Sequence, residues 1–280
     1  MARATAQYRE SPRLPGKCAG CPIRRFAAYA GAPAGSLKFL QAVRLDDRVL
    51  PAKRNILREE KEADEVFTLY DGWAFTYKLL PDGRRQILDF LLPGSFIGLH
   101  VLWFKAMAHS VQSLTPVSLC VFDKEKFRGL LRRKPEYEWE LLKYSASCQA
   151  LSDERLSDLG RRTAKERIAR MVLDIHDQLA GRGMVNGGSF PFHVRQEHIA
   201  DALGLTKVHV SRTLRGLGPG WAFRGQRSDG ECPRSQRLEG AYRAHQKTRP
   251  GTRLVSPVMR VRRRSAGTAI TACLFSQRPL

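Results

Sequence analysis

A group of polar side chains near residue 210 has the chemistry needed to contact nucleic acid. Hydroxyl, ammonium, imidazole and guanidinium groups donate hydrogen bonds to base edges and to phosphate oxygens. Their spacing leaves them on the face of a helix that an apolar stripe does not use. We therefore predict a DNA-binding surface made of Thr206, Lys207, His209, Ser211 and Arg212.

The segment Gln196–Arg215, QEHIADALGLTKVHVSRTLR, predicts the two helices that would present this surface. Ile199 and Ala200 fall where the first helix must be apolar and then small, so that the second helix packs closely. Gly204 falls at the tight turn, where a residue without Cβ adopts a left-handed conformation at little cost. Thr206 suits the N-cap of the second helix. The apolar contacts between the helices are assigned to Leu203, Leu205, Val210 and Leu214. An ordinary helical hairpin is the alternative, and the pattern favours a helix-turn-helix.

Cysteines form the second candidate site. Cys18 and Cys21 have the C-x-x-C spacing of a redox dithiol, in which a following helix would lower the pKa of the first thiol. Cys120 lies far along the chain. The remaining interpretation is that these cysteines have no sensing role. Cys148 is interpreted as a small buried apolar side chain.

Charge and composition limit the partners of the chain. Its 280 residues carry a net charge of +21, which suits a polyanionic partner or a highly soluble surface. Residues 218–280 hold 13 Lys and Arg against 3 Asp and Glu, so this tail is disproportionately basic. The length suits two domains with separate cores. No nucleophile–base pair or phosphate-binding loop stands out, so we do not expect an enzyme.

The apolar segments do not predict a membrane protein. The most apolar run, Leu88–Phe104, contains Asp89, Pro93 and His100, which do not suit a bilayer core. The N-terminal residues lack the apolar core of a secretory signal. The six scattered cysteines also argue against a disulfide scaffold. We therefore expect a cytoplasmic protein with no membrane partner.

The first half of the chain predicts short antiparallel strands. Large side chains alternate with small or polar ones from Trp73 to Leu79, which is the period of a strand that buries one face. Leu80–Gly83 supplies turn residues, and Arg84–Phe90 returns as the second strand of a hairpin. Further strands are predicted at 55–58, 65–70, 110–114 and 117–122. This pattern favours an antiparallel barrel or jelly roll.

The middle of the chain predicts helices. Lys124–Arg132 is a short amphipathic piece, and Pro135 begins a longer helix that runs to about Leu159. Gly160 is expected to interrupt it before a further helix at Arg161–Ala180. The apolar seam assigned to the long helix consists of Leu141, Tyr144, Cys148, Leu151, Leu156 and Leu159. This seam suits pairing with a second copy of the helix across a two-fold axis, and packing against the chain's own barrel is the alternative.

The order of strand barrel, long helix and helical hairpin resembles the CRP/FNR family of bacterial transcription regulators. The resemblance rests on the segments LYDGWAFTYKLLPDGRRQILDFLLPGSFIG, GRRTAKERIARMVL and HIADALGLTKVHVSRTLRGL. It implies an α+β fold with a cyclic-nucleotide-binding-like antiparallel jelly roll, a long dimerisation helix and a C-terminal helix-turn-helix domain. The boundaries that it implies are 1–35 for an N-terminal segment with the C-x-x-C pair, 36–134 for the sensor barrel, 135–160 for the dimerisation helix, 161–217 for the DNA-binding domain and 218–280 for a basic tail.

The resemblance also implies partners and residue roles. Such proteins are homodimers that bind near-palindromic double-stranded DNA, and we expect RNA polymerase as a further partner. Arg212 matches the family's guanine-binding arginine, while Val208 stands where many relatives carry a glutamate. Leu99 and His109 replace the glutamate and the arginine with which relatives bind cyclic AMP. The signal is therefore expected to be another small molecule or a redox change.

Oxygen-sensing relatives hold a [4Fe–4S] cluster with three N-terminal cysteines and one in a late barrel strand. Cys18, Cys21 and Cys120 match three of these ligands, and the remaining position falls at or near Ala27. Three thiolates leave one iron needing an outside ligand, and tetrahedral zinc would need a fourth group as well. An iron–sulfur cluster is therefore one interpretation beside the zinc site and the redox dithiol.

The resemblance ends near Leu217. The family continues with a two-stranded wing, whereas this chain continues GPGWAFRGQRSDGECPRSQRLEG without strand alternation or helical period. A frame change in the gene and a genuine basic arm are the two explanations, and we expect 218–280 to be mostly disordered with one short strand near Ala269–Phe275. The sequence thus predicts a transcription regulator. Its alternative is a dimeric redox or metal sensor whose DNA binding is impaired by loss of the wing.

Overall fold

Eight strands between residues 44 and 123 form two four-stranded antiparallel sheets that enclose an apolar core. The computed structural model of the protein describes residues 18–186, 189–216 and 231–233. The strands are β1 (Arg44–Leu50), β2 (Asn55–Leu57), β3 (Glu65–Asp71), β4 (Ala74–Leu79), β5 (Arg85–Leu91), β6 (Phe96–Ile97), β7 (Ser110–Ser113) and β8 (Val117–Asp123). The sheet orders are β1-β8-β3-β6 and β2-β7-β4-β5, which confirms the predicted jelly roll. The sequence patterns do not predict β1 or β6.

The hairpin β4–β5 forms where the sequence predicts it. Gly83 has a φ of +81°, and its N–H donates to the Leu80 carbonyl at 2.9 Å. This left-handed conformation favours glycine. Leu79 is 61% exposed, so the prediction that it is buried is wrong. The residue lies beside the turn, where the tip of the hairpin extends past the packed part of the sheet.

Residues 74–77 of β4 are buried on both faces of the strand because they separate two apolar cores. Ala74 belongs to the first core, inside the barrel, which also takes in the helices α1 (Leu37–Val43) and α2 (Lys124–Arg133). Trp73, Phe75 and Tyr77 point the other way, into a second core that is shared with helices of the C-terminal half. The buried aromatic face predicted from the sequence therefore lies outside the barrel.

In the described part of the chain, four helices follow α2. They are α3 (Pro135–Arg161), α4 (Ala164–Gly181), α5 (Gln196–Leu203) and α6 (Lys207–Gly216). Helix α3 passes through Gly160, so the predicted interruption there is wrong; a glycine inside a helix costs only about 1 kcal/mol. The break comes at Thr163, whose hydroxyl accepts from the Glu166 N–H while the Glu166 carboxylate accepts from the Thr163 N–H. This capping box begins α4.

Helix α3 packs two residues of its predicted seam, Leu141 and Tyr144, against its own barrel. Leu141 is 4% exposed, and the Tyr144 hydroxyl accepts a hydrogen bond from the Phe96 N–H at 3.1 Å. Leu156, by contrast, is 67% exposed. The prediction that these residues form one intermolecular seam is therefore wrong, and the alternative, packing on the barrel, is confirmed for Leu141 and Tyr144. The physical reason is that α3 has two apolar faces. The face that carries more apolar residues in sequence is the one that is more buried.

Strand β9 (Ser189–Pro191), between α4 and α5, pairs antiparallel with β10 (Glu231–Pro233), which comes after α6. Strand β10 falls within residues 218–280, where the sequence shows no strand alternation and one short strand is expected only near Ala269–Phe275. A strand of three residues is too short to show an alternation of apolar and polar side chains, and it forms by pairing with a strand that is distant in sequence. The rest of the predicted tail, including Ala269–Phe275, lies outside the described residues. Among the helices of the described residues, none is long and apolar enough to cross a membrane.

Candidate nucleic-acid interface

Helices α5 and α6 form a helix-turn-helix with the predicted turn. Gly204 ends α5 with a φ of +63°, and Thr206 Oγ1 accepts a hydrogen bond from the His209 N–H at 3.1 Å. Thr206 is therefore the N-cap of α6, as predicted. The predicted apolar contacts are buried at Ile199, Ala200, Leu203, Val210 and Leu214.

The face of α6 opposite this core is open to solvent. Lys207, His209 and Arg212 are exposed, and Ser211 is half-buried, with its hydroxyl 3.5 Å from the Arg215 guanidinium. A shallow recess of about 580 Å³ is lined by Thr206, Val208, His209, Arg212 and Thr213. The structure thus brings the five predicted residues together on one helix and its N-cap.

Three further residues share this face, and the sequence-based set omits them. Val208 is 59% exposed, Thr213 lines the recess, and Arg215 is exposed in the last turn of α6. An exposed valine can contact the methyl group of thymine but cannot accept a hydrogen bond from a base. Helical spacing identifies Thr213 and Arg215, since they lie four residues after His209 and Ser211.

Helix α5 is held against the outer face of the barrel hairpin. The Arg85 guanidinium donates to Asp201 Oδ2 from Nη2 at 2.6 Å and from Nε at 2.9 Å. The Gln86 side chain donates to the Ala202 carbonyl at 3.1 Å. Arg85 also lies over the Phe75 ring, 4.9 Å from its centroid, in a cation–π contact. Sequence patterns do not predict these contacts, because they join residues 116 positions apart.

A histidine is buried at the same interface between α5 and the hairpin. The His198 side chain is 12% exposed, and its ring centroid lies 5.9 Å from that of Phe75. His198 Nδ1 accepts a hydrogen bond from the Arg195 N–H at 3.1 Å. Burial lowers the pKa of His198 to about 4, so the imidazole is neutral at pH 7.

Two arginines connect the same part of the barrel to α3 and to the end of α4. Arg155 on α3 donates from Nη2 to Asp89 at 2.6 Å. Arg182, just after α4, donates from Nε to the Pro93 carbonyl at 2.8 Å. Strand β5 and the residues after it therefore contact α3, α5 and the end of α4, and so help to set the position of the helix-turn-helix.

Leu99 and His109, at the positions where cyclic-AMP-binding relatives carry a glutamate and an arginine, do not supply the charges of those two residues. Burial and the neighbouring His100 lower the pKa of His109 to about 4, so His109 carries no positive charge at pH 7. Ser110 Oγ accepts a hydrogen bond from the Glu59 N–H at 3.0 Å and is buried. Leu99 has no group that could accept from a ribose hydroxyl. A cyclic phosphate would therefore lack its cation, and a ribose its acceptor.

The structure brings the three predicted cysteines to one side of the barrel core. Cys120 on β8 is 6% exposed, and Cys18 and Cys21 pack against the same core. Burial raises the pKa of the Cys120 thiol to about 12, and the two other thiols add to this effect. Burial also raises the pKa of Cys18. The expectation that the first thiol's pKa is lowered is therefore wrong, because desolvation by burial outweighs the lowering effect of the neighbouring Arg44 guanidinium.

These residues do not complete a site for an iron–sulfur cluster or for zinc. Ala27, at the position of the remaining family cysteine, is 5% exposed within the core. Asp47 lies opposite Cys120 in the β1–β8 ladder, but its carboxylate contacts the Arg44 guanidinium. Across 18–186, 189–216 and 231–233, no group of three or more His, Cys, Asp or Glu side chains is arranged to hold a metal ion.

Family models match both halves of the chain. Residues 47–134 match the model of the cyclic nucleotide-binding domain, and residues 166–218 match the model of the Crp-like helix-turn-helix domain. The first match spans most of the barrel and α2, and the second spans α4 to α6.

Two curated relatives and one solved structure agree with these matches. The transcriptional activatory protein AadR of Rhodopseudomonas palustris is 35% identical over 166 residues, which cover 59% of this chain and 68% of the relative. The nitrogen fixation regulation protein FixK of Bradyrhizobium diazoefficiens is 30% identical over 203 residues, which cover 71% of this chain and 83% of the relative. The structure of FixK2 from Bradyrhizobium japonicum matches with a TM-score of 0.62 and 25% identity, covering 70% of this chain and 96% of that one. The chain therefore belongs to the CRP/FNR family of transcription regulators.

Proposed function

We propose that the protein is a homodimer that binds a near-palindromic DNA site through α6 of each protomer. The observation that carries this proposal is the exposed polar face of α6 on a helix-turn-helix whose turn, N-cap and core are complete. An exposed helix with this geometry fits the major groove of B-DNA.

We assign base recognition chiefly to Arg212. Its exposed guanidinium is a planar donor fork that matches the O6 and N7 acceptors of guanine. Ser211 is the second candidate for a base contact. Lys207 and His209 are assigned to phosphates or neighbouring bases, and the first turn of α6, capped by Thr206, points free N–H groups at a phosphate.

The exposed face of α3 supports pairing with a second copy. Its residues repeat at alternating spacings of three and four, which is the period of a two-stranded coiled coil. This face, the dimer seam, consists of Trp139, Leu142, Ala146, Gln149, Asp153 and Leu156, which are all exposed. Parallel pairing about a two-fold axis would place the two recognition helices in successive major grooves.

We propose that the signal is a small molecule or a redox change other than cyclic AMP. The neutral His109 and the apolar Leu99 favour a ligand without a cyclic phosphate. The raised thiol pKa values favour a small-molecule signal over direct oxidation of Cys18 or Cys21, since the thiolate is the reactive form. Because AadR is named as a transcriptional activatory protein, we propose RNA polymerase as a further partner.

A dimeric sensor with impaired DNA binding is less well supported, because the helix-turn-helix is complete within the described residues. Selection of sites from a pool of random duplex DNA distinguishes the two functions. The full chain is expected to enrich a two-fold symmetric sequence with half-sites about 10 base pairs apart, centre to centre. Arg212→Ala should lose the preference at one base pair in each half-site. Failure to enrich any motif would contradict the proposal.

A further inference from the structure

The recess on the exposed face of α6 is lined in part by three side chains that carry methyl groups, Thr206, Val208 and Thr213. Val208 is 59% exposed, and α6 packs on its support through Val210 and Leu214 instead. Residues two positions apart lie on nearly opposite sides of a helix, so Val208 and Val210 face apart. Packing within the described part of the chain therefore leaves Val208 available for a contact outside it.

The hydroxyl groups of the two threonines are engaged by the backbone of α6 itself. Thr206 Oγ1 accepts a hydrogen bond from the His209 N–H at 3.1 Å, and Thr213 Oγ1 donates to the His209 carbonyl at 2.9 Å. The methyl groups of both threonines remain for contacts in the recess. The surface around Val208 is therefore mainly apolar, although it lies within a polar and basic face.

The position of Val208 on α6 relates it to the base that Arg212 contacts. The two residues lie one helical turn apart on the same face, where Cβ atoms are about 5–6 Å apart. Successive base pairs of B-DNA are about 3.4 Å apart. A helix that places the Arg212 guanidinium on a guanine thus places Val208 over a base pair one or two steps away. Val208 also lies in the first turn of α6, the end of a recognition helix that contacts base edges.

Thymine is the base that an exposed valine can recognise in the major groove. Its C5-methyl group is the one apolar group that the base edges present there. Cytosine and adenine present an amino donor, and guanine presents two acceptors, and valine can bond none of these. A base other than thymine beneath Val208 would therefore have polar groups that lose water without gaining a partner.

We propose that Val208, together with the methyl groups of Thr206 and Thr213, selects a thymine one or two base pairs from the guanine bound by Arg212. This inference rests on the DNA binding proposed above and names the base that the apolar part of the recess takes. The carboxylate that many relatives carry at this position accepts from cytosine instead, so the valine changes the sequence that this chain binds.

Substitution of uracil for thymine tests the contact, because it removes only the methyl group. The symmetric site enriched by the full chain is the starting duplex, and each of its thymines is replaced in turn, in both half-sites. One position within two base pairs of the guanine should lose affinity about tenfold, since one buried methyl group is worth about fourfold and the dimer contacts two half-sites. At that position 5-methylcytosine should bind more tightly than cytosine, because it restores the methyl group.

Variants of the full chain assign the contact to Val208. Val208→Ala should bind the thymine and uracil duplexes with affinities that agree within about twofold, and Val208→Glu should prefer cytosine at the same position. Val49→Ala is the matched control, because Val49 is a valine of the barrel that is 60% exposed. It should keep the full preference for thymine over uracil. Fluorescence anisotropy supplies the dissociation constants.

The outcomes separate this inference from the proposed function. An enriched symmetric site in which no thymine near the guanine is sensitive to uracil would overturn the role of Val208 and leave DNA recognition by α6 intact. A uracil effect that persists undiminished in Val208→Ala would also overturn it, because another side chain would then contact the methyl group. A wild-type chain that enriches no site would overturn both.

Discussion

Arg85 on the barrel hairpin and Asp201 on the first helix of the helix-turn-helix form an ion pair, with Nη2 2.6 Å from Oδ2. Both side chains are less than one third exposed. Helix α5 is the element against which α6 packs, so this pair ties the sensor barrel directly to the support of the recognition helix.

Arg85→Ala removes both the ion pair and the cation–π contact with Phe75. We expect the free energy of unfolding to fall by about 1–3 kcal/mol, the range for hydrogen bonds to charged groups that are partly buried. Backbone amides of α5 should exchange hydrogen faster, because the helix loses its link to the hairpin. Urea unfolding and hydrogen exchange measure these two effects.

Arg84→Ala is the matched control for this prediction. Arg84 lies on the same hairpin, pairs only locally with Asp82 and has a side chain that is 78% exposed. The Arg84→Ala substitution should change the free energy of unfolding by less than about 0.5 kcal/mol. Equal effects of the two substitutions would refute the anchoring role of Arg85.

His198 should make the stability of the protein depend on pH. Its pKa is about 4 when folded and about 6.5 when unfolded. Its contribution is therefore fully present above pH 6.5 and is lost as the pH falls from there toward 4. His198→Asn removes the titration while keeping an acceptor for the Arg195 N–H. The stability of the wild type relative to this variant should fall by about 2 kcal/mol between pH 7 and pH 5.

Urea unfolding at several pH values measures that difference. Burial raises the pKa of Asp174 to about 6, which acts in the opposite direction. This contribution is present in both proteins and cancels in the comparison. A difference that does not change with pH would show that His198 is not desolvated in the folded protein.

Asp153 should weaken the proposed dimer, since pairing through the seam would bring this carboxylate close to its own copy across the two-fold axis. Asp153→Ala removes the repulsion between like charges and is expected to lower the dimer dissociation constant about fivefold to tenfold. Asp64→Ala removes the same charge from an exposed barrel position and serves as the control. A dimer that Asp153→Ala leaves unchanged or weakens would place the seam on another face of α3.

The thiols of the barrel should react slowly. Burial raises the pKa values of Cys18, Cys21 and Cys120, and that of Cys120 reaches about 12. We expect alkylation by iodoacetamide at neutral pH to be slower than for the urea-unfolded chain, with Cys120 the slowest, as followed by mass spectrometry. Faster alkylation of Cys18 in the folded protein would indicate an activated redox thiol instead.

The features predicted well from the sequence are those whose interactions are local. Gly204 and Thr206 form the turn and the N-cap through residues within five positions of themselves. Gly83 and the hairpin around it are local in the same sense. The exposed face of α6 could also be predicted, because a helix that packs through one apolar stripe leaves its opposite face open to solvent.

Features that depend on distant partners could not be predicted in this way. Alternation shows that the face carrying Trp73 and Phe75 is buried, but it does not show that helices outside the barrel cover it. In α3, the apolar pattern that includes Leu141 and Tyr144 belongs to the face that packs on the barrel. The weaker apolar pattern through Leu142, on the exposed face, is hard to recognise beside it. The pKa of Cys18 is raised because tertiary packing desolvates it, which the C-x-x-C spacing does not reveal.

Arg212 is predicted to be the main contact to a base. Arg212→Ala should cost about 1–3 kcal/mol of binding to the cognate site and relax the preference at one base pair. Lys105→Ala removes one positive charge from an exposed barrel position and should leave the sequence preference unchanged. Fluorescence anisotropy titrations of both variants supply the comparison, and equal losses would mean that only net charge matters.

The central claim is that α6 recognises a DNA sequence, and one anisotropy experiment tests it most directly. The full wild-type chain is titrated against a family-type palindrome and against a scrambled duplex of equal length, over a range of salt concentrations. We predict that the palindrome binds more tightly, by a factor of about 10³ or more, and that the preference persists as salt rises. Equal affinity for both duplexes, falling steeply with salt, would contradict the claim and would mean that the basic charge of the chain alone binds DNA.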